Sequence, residues 1–438
     1  MKRFFWVILF LLFLFTLAFA QDTEEKIAEN FINLLLEGRY EEASTFFDDS
    51  VKALIPSSKL QEIWESINNQ IGGFKGFLGV RAEDSGIYKI VYLTCEFSLM
   101  DVDIKFVFFN KKIVGLLFQQ APPRKVYNPP SYVNLDSFEE RDIKIGKELP
   151  LPGKLVIPKG DGPFPVVILV HGSGPNDMDE SIGPNKIFRD LAWGLGSIGI
   201  ASLRYDKRTK VYPERFLESE EGYTVMEEVI EDVIYAIEFL KTIPEIDRNK
   251  IFILGHSLGG MLAPRIADLS KDVAGLIIMA GATRFLEDLI WDQLNYLVML
   301  DGKISEEEEA QLKLVESEIM KLKDENLTQK YAPSMTILEI PVKYWADLKS
   351  HDPVEILDRL NIPALIMQGE RDYQVTIKDF ERWGRLSSKE NITLKLYPKL
   401  NHLFMEGEGK STPEEYYKEG HIPEYVIRDI GEWILGNK

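Results

Sequence analysis

The sequence predicts an α/β protein, a doubly wound and mostly parallel sheet with a helical insertion, preceded by a small α+β domain. Three observations point there. Beyond a proline-rich stretch near residue 130, near-continuous Val/Ile/Leu runs alternate with amphipathic helical segments, as in a parallel sheet covered on both faces. From Thr283 to about Lys349 the alternation stops and charged helical sequence takes its place. Ahead of the prolines the hydrophobic period changes from 3.6 towards 2, which describes helices followed by an antiparallel meander.

Taken in order, the chain opens with Lys2 and Arg3, an apolar run from Phe4 to Leu17 and the small-x-small triplet Ala18-Phe19-Ala20. This predicts a secretory signal peptide over residues 1–20, cleaved before Gln21, and a secreted or periplasmic protein; an uncleaved N-terminal anchor is the alternative. Next, Ile27, Phe31, Leu34 and Leu35 share one helical face before Gly38, and Leu60, Ile63, Trp64 and Ile67 share another. Three or four strands follow between Leu78 and Phe118, with turns at Asp84-Ser85-Gly86 and Asn110-Lys111-Lys112. Residues 21–120 are thus expected to form the α+β domain, with the single cysteine, Cys95, a buried small hydrophobe. Pro122, Pro123, Pro129 and Pro130 mark a stiff linker over residues 121–134.

Residues 135–438 form the second domain. Its expected strands are "PVVILV", "GIASLRY", "IFILG", "VAGLIIMA", "IPALIMQG" and "TLKLYP". Helices are expected near Ile187 to Leu195, from Val225 to Lys241 behind a Thr224/Glu227 capping box, after Ser257, around Asp379 to Leu386, and from Tyr425 to Ile434. The insertion, about 285–349, has its own box at Ser305/Glu308. It leaves the sheet at the carboxyl edge, so it is expected to cap the site there, with Trp291 and Tyr296 to Leu300 lining an acyl pocket or packing the cap down.

Charge narrows the partners. Fifty-one Lys and Arg stand against 70 Asp and Glu, a formal charge of −19. A chain this acidic repels phosphates and anionic lipid, so neither nucleic acid nor a stable membrane association after signal cleavage is expected. A small-molecule substrate is expected instead, and the oligomeric state is left open.

The chemistry concentrates in "IFILGHSLGG", where Gly255-His256-Ser257-Leu258-Gly259 matches G-x-S-x-G between a strand and a helix. A nucleophile on so sharp a turn needs glycine two positions to either side, and the following helix aims its first amide, Leu258, at an oxyanion beside Ser257. A serine hydroxyl needs a base, and the base an orienting acid. Of the five histidines, His351, His402 and His421 follow the nucleophile. His402, just beyond the last core strand, is the expected base. The loop "GERDYQV" offers Glu370 and Asp372; Asp372, further into the loop, is favoured, with Glu370 paired to Arg371. The amide of Ser173 in "HGSGP", with Gly172 as runner-up, completes the oxyanion hole with Leu258. Asp177, Asp179 and Glu180 are read as a solvated acidic loop rather than a calcium site, and "LRYDKR" as a motif whose Asp206 pairs with its own basic neighbours.

With "HGSGPNDMDE", "GHSLGGMLAPRIA", "LDGKISEEE", "GERDYQV" and "LNHLFMEGEGKSTPEEY", the sequence resembles secreted bacterial α/β-hydrolase fold serine esterases with a small N-terminal domain of unknown function. The catalytic part is similar to dienelactone hydrolases and acylaminoacyl peptidases. The resemblance implies a Ser257–Asp372–His402 triad acting on carboxylic esters through an acyl-enzyme, without cofactor or metal. It also implies a cone-shaped first domain like that of nuclear transport factor. The alternatives are an exopeptidase or amidase with the same triad, or a ligand-binding protein on a hydrolase scaffold.

Overall fold

A computed structural model describes residues 23–122, 127–217 and 219–436; the signal peptide expected over 1–20, and residues 123–126 of the linker, lie outside them. The chain divides into two compact units, one drawn from Phe19–Tyr127 and one including Asn128–Lys438.

In the first unit, helices α1 (Glu24–Leu36) and α2 (Ser57–Ile71) precede strands β1 (Phe74–Ser85), β2 (Tyr88–Phe97), β3 (Asp101–Phe109) and β4 (Lys112–Gln120), which pair in that order as an antiparallel sheet. Thr23 caps α1 by accepting the Lys26 amide. The buried face of α1, with Ile27, Phe31 and Leu35, packs on Val91, Leu93, Ile104 and Phe106 of the sheet. Asn110 and Lys111 both take positive φ in the hairpin turn that joins β3 to β4. Cys95 is fully buried, and burial pushes its thiol up to about 12, so it behaves as a small hydrophobe.

The second unit is built on eight strands: β5 (Phe138–Ile145), β6 (Leu151–Pro158), β7 (Phe164–Val170), β8 (Ala201–Tyr205), β9 (Ile246–His256), β10 (Gly275–Met279), β11 (Ala364–Gly369) and β12 (Ile392–Tyr397). Their spatial order is β12-β11-β10-β9-β7-β8-β6-β5, parallel from β12 to β8 and antiparallel at β6 and β5. The antiparallel pair is absent from the sequence expectation. Two prolines and a glycine in "LPGKLVIP" obscure the strand pattern, yet at Gly153 any Cβ would lie 2.6 Å from the Arg204 carbonyl, so glycine is what lets β6 approach β8.

Alternation along β9 shows why the central strands read as unbroken apolar runs. Phe252 and Leu254 pack under helices α3 (Ile187–Ser197) and, at the end of the chain, Glu424–Gly436. Ile251 and Ile253 face the other way, onto α4 (Glu231–Leu240) and α5 (Leu258–Ser270). The helix expected from Val225 begins instead with a π turn, Met226–Ile230, in which Thr224 accepts the Met226 amide and Glu227 accepts the Thr224 amide. The insertion holds α6 (Leu286–Val298), α7 (Glu306–Leu322), with the capping box at Ser305 and Glu308 in place, and α8 (Val342–Lys349).

Two readings of charged motifs are overturned. Asp179 and Glu180 are buried, not solvated: Asp179 accepts from Arg204 Nε at 3.0 Å and pairs with Arg189 and Lys186. Burial alone would raise the Asp179 carboxyl, and the three cations outweigh it and hold it below the usual range. In "LRYDKR" each basic residue pairs outside the motif, Arg204 with Asp179 and Glu140, Lys207 with Glu228, Arg208 with Asp232, while Asp206 accepts the Met178 amide. A strand buried on both faces sends its charged ends to neighbouring elements, beyond the reach of local sequence.

Because Arg204 is wholly buried, Asp179→Asn removes one of its two counter-charges and leaves only the partly exposed Glu140 to balance it. The expected cost is about 3–5 kcal/mol in chemical denaturation; a loss below about 1 kcal/mol would show that Glu140 alone neutralises Arg204.

Candidate active site

The parallel strands deliver their following loops to one edge of the sheet. At the end of β9 the chain turns directly into α5, and Ser257 takes φ 54° and ψ −115° between them. A Cβ on Gly255 would strike the Gly259 carbonyl, and one on Gly259 the Val170 carbonyl, so both positions exclude a side chain. Ser257 donates its amide to Met279 at 2.9 Å. From Ile251 to Gly260 it is the one residue that is not buried.

His402 lies in the loop after β12, and its Nδ1 stands 2.7 Å from Asp372 Oδ2. A carboxylate only accepts, so Nδ1 carries the proton and Nε2 is left as the basic atom. Asp372 is held from behind: Oδ1 accepts the amides of Gln374 and Val375 at 2.8 and 3.0 Å, and Oδ2 also accepts from Gln368. Asn401 Oδ1 accepts the Leu403 and Met405 amides, which locks the histidine loop. Gly369, at the end of β11, lets these two loops touch, since a Cβ there would collide with the Leu400 carbonyl. Within the described residues the Ser257 hydroxyl makes no hydrogen bond, and the side chain nearest in sequence, His256, puts its ring 4.7 Å from that of His402.

The alternatives fall elsewhere. Glu370 is exposed, and Arg371, expected as its partner, pairs with Glu415 instead. His421 pairs with Asp190 at 3.1 Å, and His351 meets the Asp347 carbonyl.

At the loop read as the oxyanion loop, a Cβ on Gly172 would come within 3.2 Å of Ser257 Cβ, so the loop lies against the elbow serine. The Gly172 amide, the runner-up donor, is committed to Glu180 Oε1 at 2.6 Å. The Ser173 amide has no acceptor among the described residues, and Leu258 opens α5, where first-turn amides lack an intrahelical acceptor. Lys207 Nζ donates to the Gly172 carbonyl at 2.9 Å and Asn176 to those of Gly172 and Ser173.

Sequence reasoning missed three participants, Glu180, His256 and Lys207, all buried. The one available signal was negative: Glu180 and His256 sit among residues that the fold must bury, with no local partner of opposite charge.

The insertion braces the acid loop. Tyr296 of α6 stacks on Tyr373 with ring centroids 4.9 Å apart and donates to the Ser411 carbonyl, and Gln293 donates to Gln374. Leu297 and Val298 are buried rather than lining a pocket, while Met299 is exposed.

A sheet of this order, with a serine elbow and a histidine–carboxylate pair at its carboxyl edge, defines an enzyme of the α/β-hydrolase fold. The chain belongs to the family described as serine aminopeptidase, S33, whose model matches residues 163–409; a family described only as a protein of unknown function matches residues 28–116. It is 42% identical to esterase EstD of Thermotoga maritima over 429 residues, 97% of this chain and 98% of that one. Among solved structures, Est1E of Butyrivibrio proteoclasticus is 16% identical with a TM-score of 0.44, over 68% of this chain and 98% of its own. The acylaminoacyl peptidase of Pyrococcus horikoshii is 15% identical with a TM-score of 0.46, over 84% and 56%. Family membership rests on the matched model and the Thermotoga relative, and the chain is a serine hydrolase.

His171, at the start of the Gly172–Pro175 loop, donates from Nε2 to the Asp177 carbonyl at 3.1 Å, so Nε2 carries the proton. Burial lowers its pKa to about 4. The folded state therefore keeps it neutral while the unfolded chain protonates near 6.5, and stability is lost as pH falls from about 6.5 to about 4, by roughly 3 kcal/mol at most. His171→Gln should flatten this part of the stability profile measured by denaturant titration; an unchanged acid slope would remove His171 as its source.

Proposed function

We propose that the chain is a carboxylic-ester hydrolase in which Ser257, His402 and Asp372 act as nucleophile, base and orienting acid through an acyl-enzyme. The observation that carries the reading is the 2.7 Å His402–Asp372 pair, which leaves Nε2 as the basic atom, at the same sheet edge as a serine held on a strained elbow. Ser257 Oγ attacks the acyl carbon while Nε2 takes its proton, and the amides of Ser173 and Leu258 hold the oxyanion. As the tetrahedral adduct collapses, the imidazolium returns the proton to the leaving alkoxide. Water, deprotonated by the same nitrogen, then attacks the acyl-enzyme and frees Ser257.

The name of the Thermotoga relative supports an ester substrate. The N-terminal apolar run ending in Ala18-Phe19-Ala20 supports export, with small esters outside the cytoplasm as substrates.

Ser257→Ala should lower kcat on p-nitrophenyl butyrate by roughly 10⁴–10⁶-fold without changing the melting temperature, and abolish labelling by a fluorophosphonate. Asp372→Asn should cost about 10⁴-fold by reversing the His402 tautomer. Retained turnover in Ser257→Ala, or faster hydrolysis of aminoacyl anilides than of esters by the wild type, would refute the assignment.

A further inference from the structure

Behind the proposed catalytic residues lies a pair of buried ionisable groups with no part in the chemistry described above. His256 Nε2 is 2.9 Å from the backbone carbonyl of His402, which can only accept, so Nε2 is protonated and donates. On the other side of the ring, Nδ1 faces Glu180 Oε2 at 3.2 Å. A bare lone pair there would oppose a carboxylate, so Nδ1 is protonated as well and the two groups form an ion pair. Burial opposes a charge on His256, and the adjacent Glu180 carboxylate outweighs it, raising the imidazole above its usual range; against the same burial, His256 holds Glu180 below the carboxylate range.

The other carboxylate oxygen, Oε1, accepts the Gly172 amide at 2.6 Å. One side-chain pair therefore touches three separate loops: the one carrying Ser173 through Gly172, the elbow through His256 itself, and the one carrying His402 through its carbonyl. Glu180 is held in the left-handed region, φ 47°, a conformation costly for a residue with a Cβ. Its amide donates to Asp177, and Asp177 Oδ1 accepts the amides of Asp179 and Ser181 on either side of it, which fixes the carboxylate where it must bridge. Glu180 and His256 are both buried.

We propose that Glu180 and His256 are positioning residues, a buried bridge that fixes the oxyanion loop and the His402 loop relative to Ser257. This rests on the reading of Ser257 and His402 as nucleophile and base. A bridge that sets relative placement acts on the transition state more than on substrate binding, so its loss should appear in kcat. Placement, not charge, is the essential property: an amide at position 180 can still accept from Gly172 and donate to Nδ1 of a neutral His256, whose Nε2 still donates to His402.

The test compares full-length wild type, Glu180→Ala, Glu180→Gln, His256→Phe and the double variant Glu180→Ala with His256→Phe on p-nitrophenyl butyrate, with active sites counted by fluorophosphonate titration. Glu180→Ala and His256→Phe should each lower kcat by about 100-fold with KM within about twofold, since a displacement of about 1 Å in a catalytic geometry costs that much. The double variant should lose little more than either single one. Glu180→Gln should recover kcat to within about fivefold of wild type. Unchanged kcat in Glu180→Ala, a rise in KM alone, or a Glu180→Gln as impaired as Glu180→Ala overturns the bridge while wild-type turnover leaves the esterase reading standing. A wild type that neither hydrolyses the ester nor is labelled overturns both. Should Glu180→Ala not fold, His256→Phe and Glu180→Gln decide between the same outcomes.

Discussion

No space exists for a side chain two positions to either side of Ser257, at Gly255 and Gly259, and most of the carboxyl edge of the sheet is arranged around that constraint. Strand β9 passes into α5 without a linker, so the backbone of Gly259 lies against the end of β7 and Gly260 against Gly281 beyond β10, where an added Cβ would come within 2.8 Å of Gly281 Cα. Backbone packed on backbone brings polar groups under the site that must find partners within the protein. The loops above are correspondingly held by side chains reaching up from below, such as Lys207 at the Gly172 carbonyl and Asp372 at the amides after it.

These buried charges are arranged as a chain of pairs. Asp179 holds Arg204, Glu180 faces His256, and Lys207 meets Glu228, which also accepts the hydroxyl of Tyr344 from α8 in the insertion. Buried pairs of this sort contribute little net stability beyond what apolar groups would give, because desolvation offsets the attraction. Their value lies in direction: each fixes one loop against one neighbour, which apolar packing does not do.

The parallel strands, the elbow and the histidine and acid loops were legible because each is written locally, in an apolar run, a glycine spacing or a residue placed just past a strand. Asp372 could be preferred to Glu370 from its depth in the loop, and the structure brings it to His402 while leaving Glu370 exposed. What escaped was set by partners distant in sequence. Asp179 and Glu180 look like solvent-exposed acids until Arg204 and His256 arrive from other strands, and β6 hides behind Pro152 and Pro158, which fall at its two ends, outside the Gly153–Val156 pairing with β8. The stretch from Tyr296 to Leu300 could be read as a pocket lining or as packing, and helical geometry, which turns Leu297 and Val298 inward and sets Tyr296 against Tyr373, agrees with packing.

The first unit contributes one feature with practical weight. Its Cys95 is the only thiol in the chain and is sealed between the sheet and the helices. Folding therefore passes through no disulfide exchange, and an oxidising or a reducing milieu presents the same protein. A cysteine introduced on the surface would be the sole reactive thiol, so a single fluorophore or spin label could be attached to the native chain without first removing anything from it.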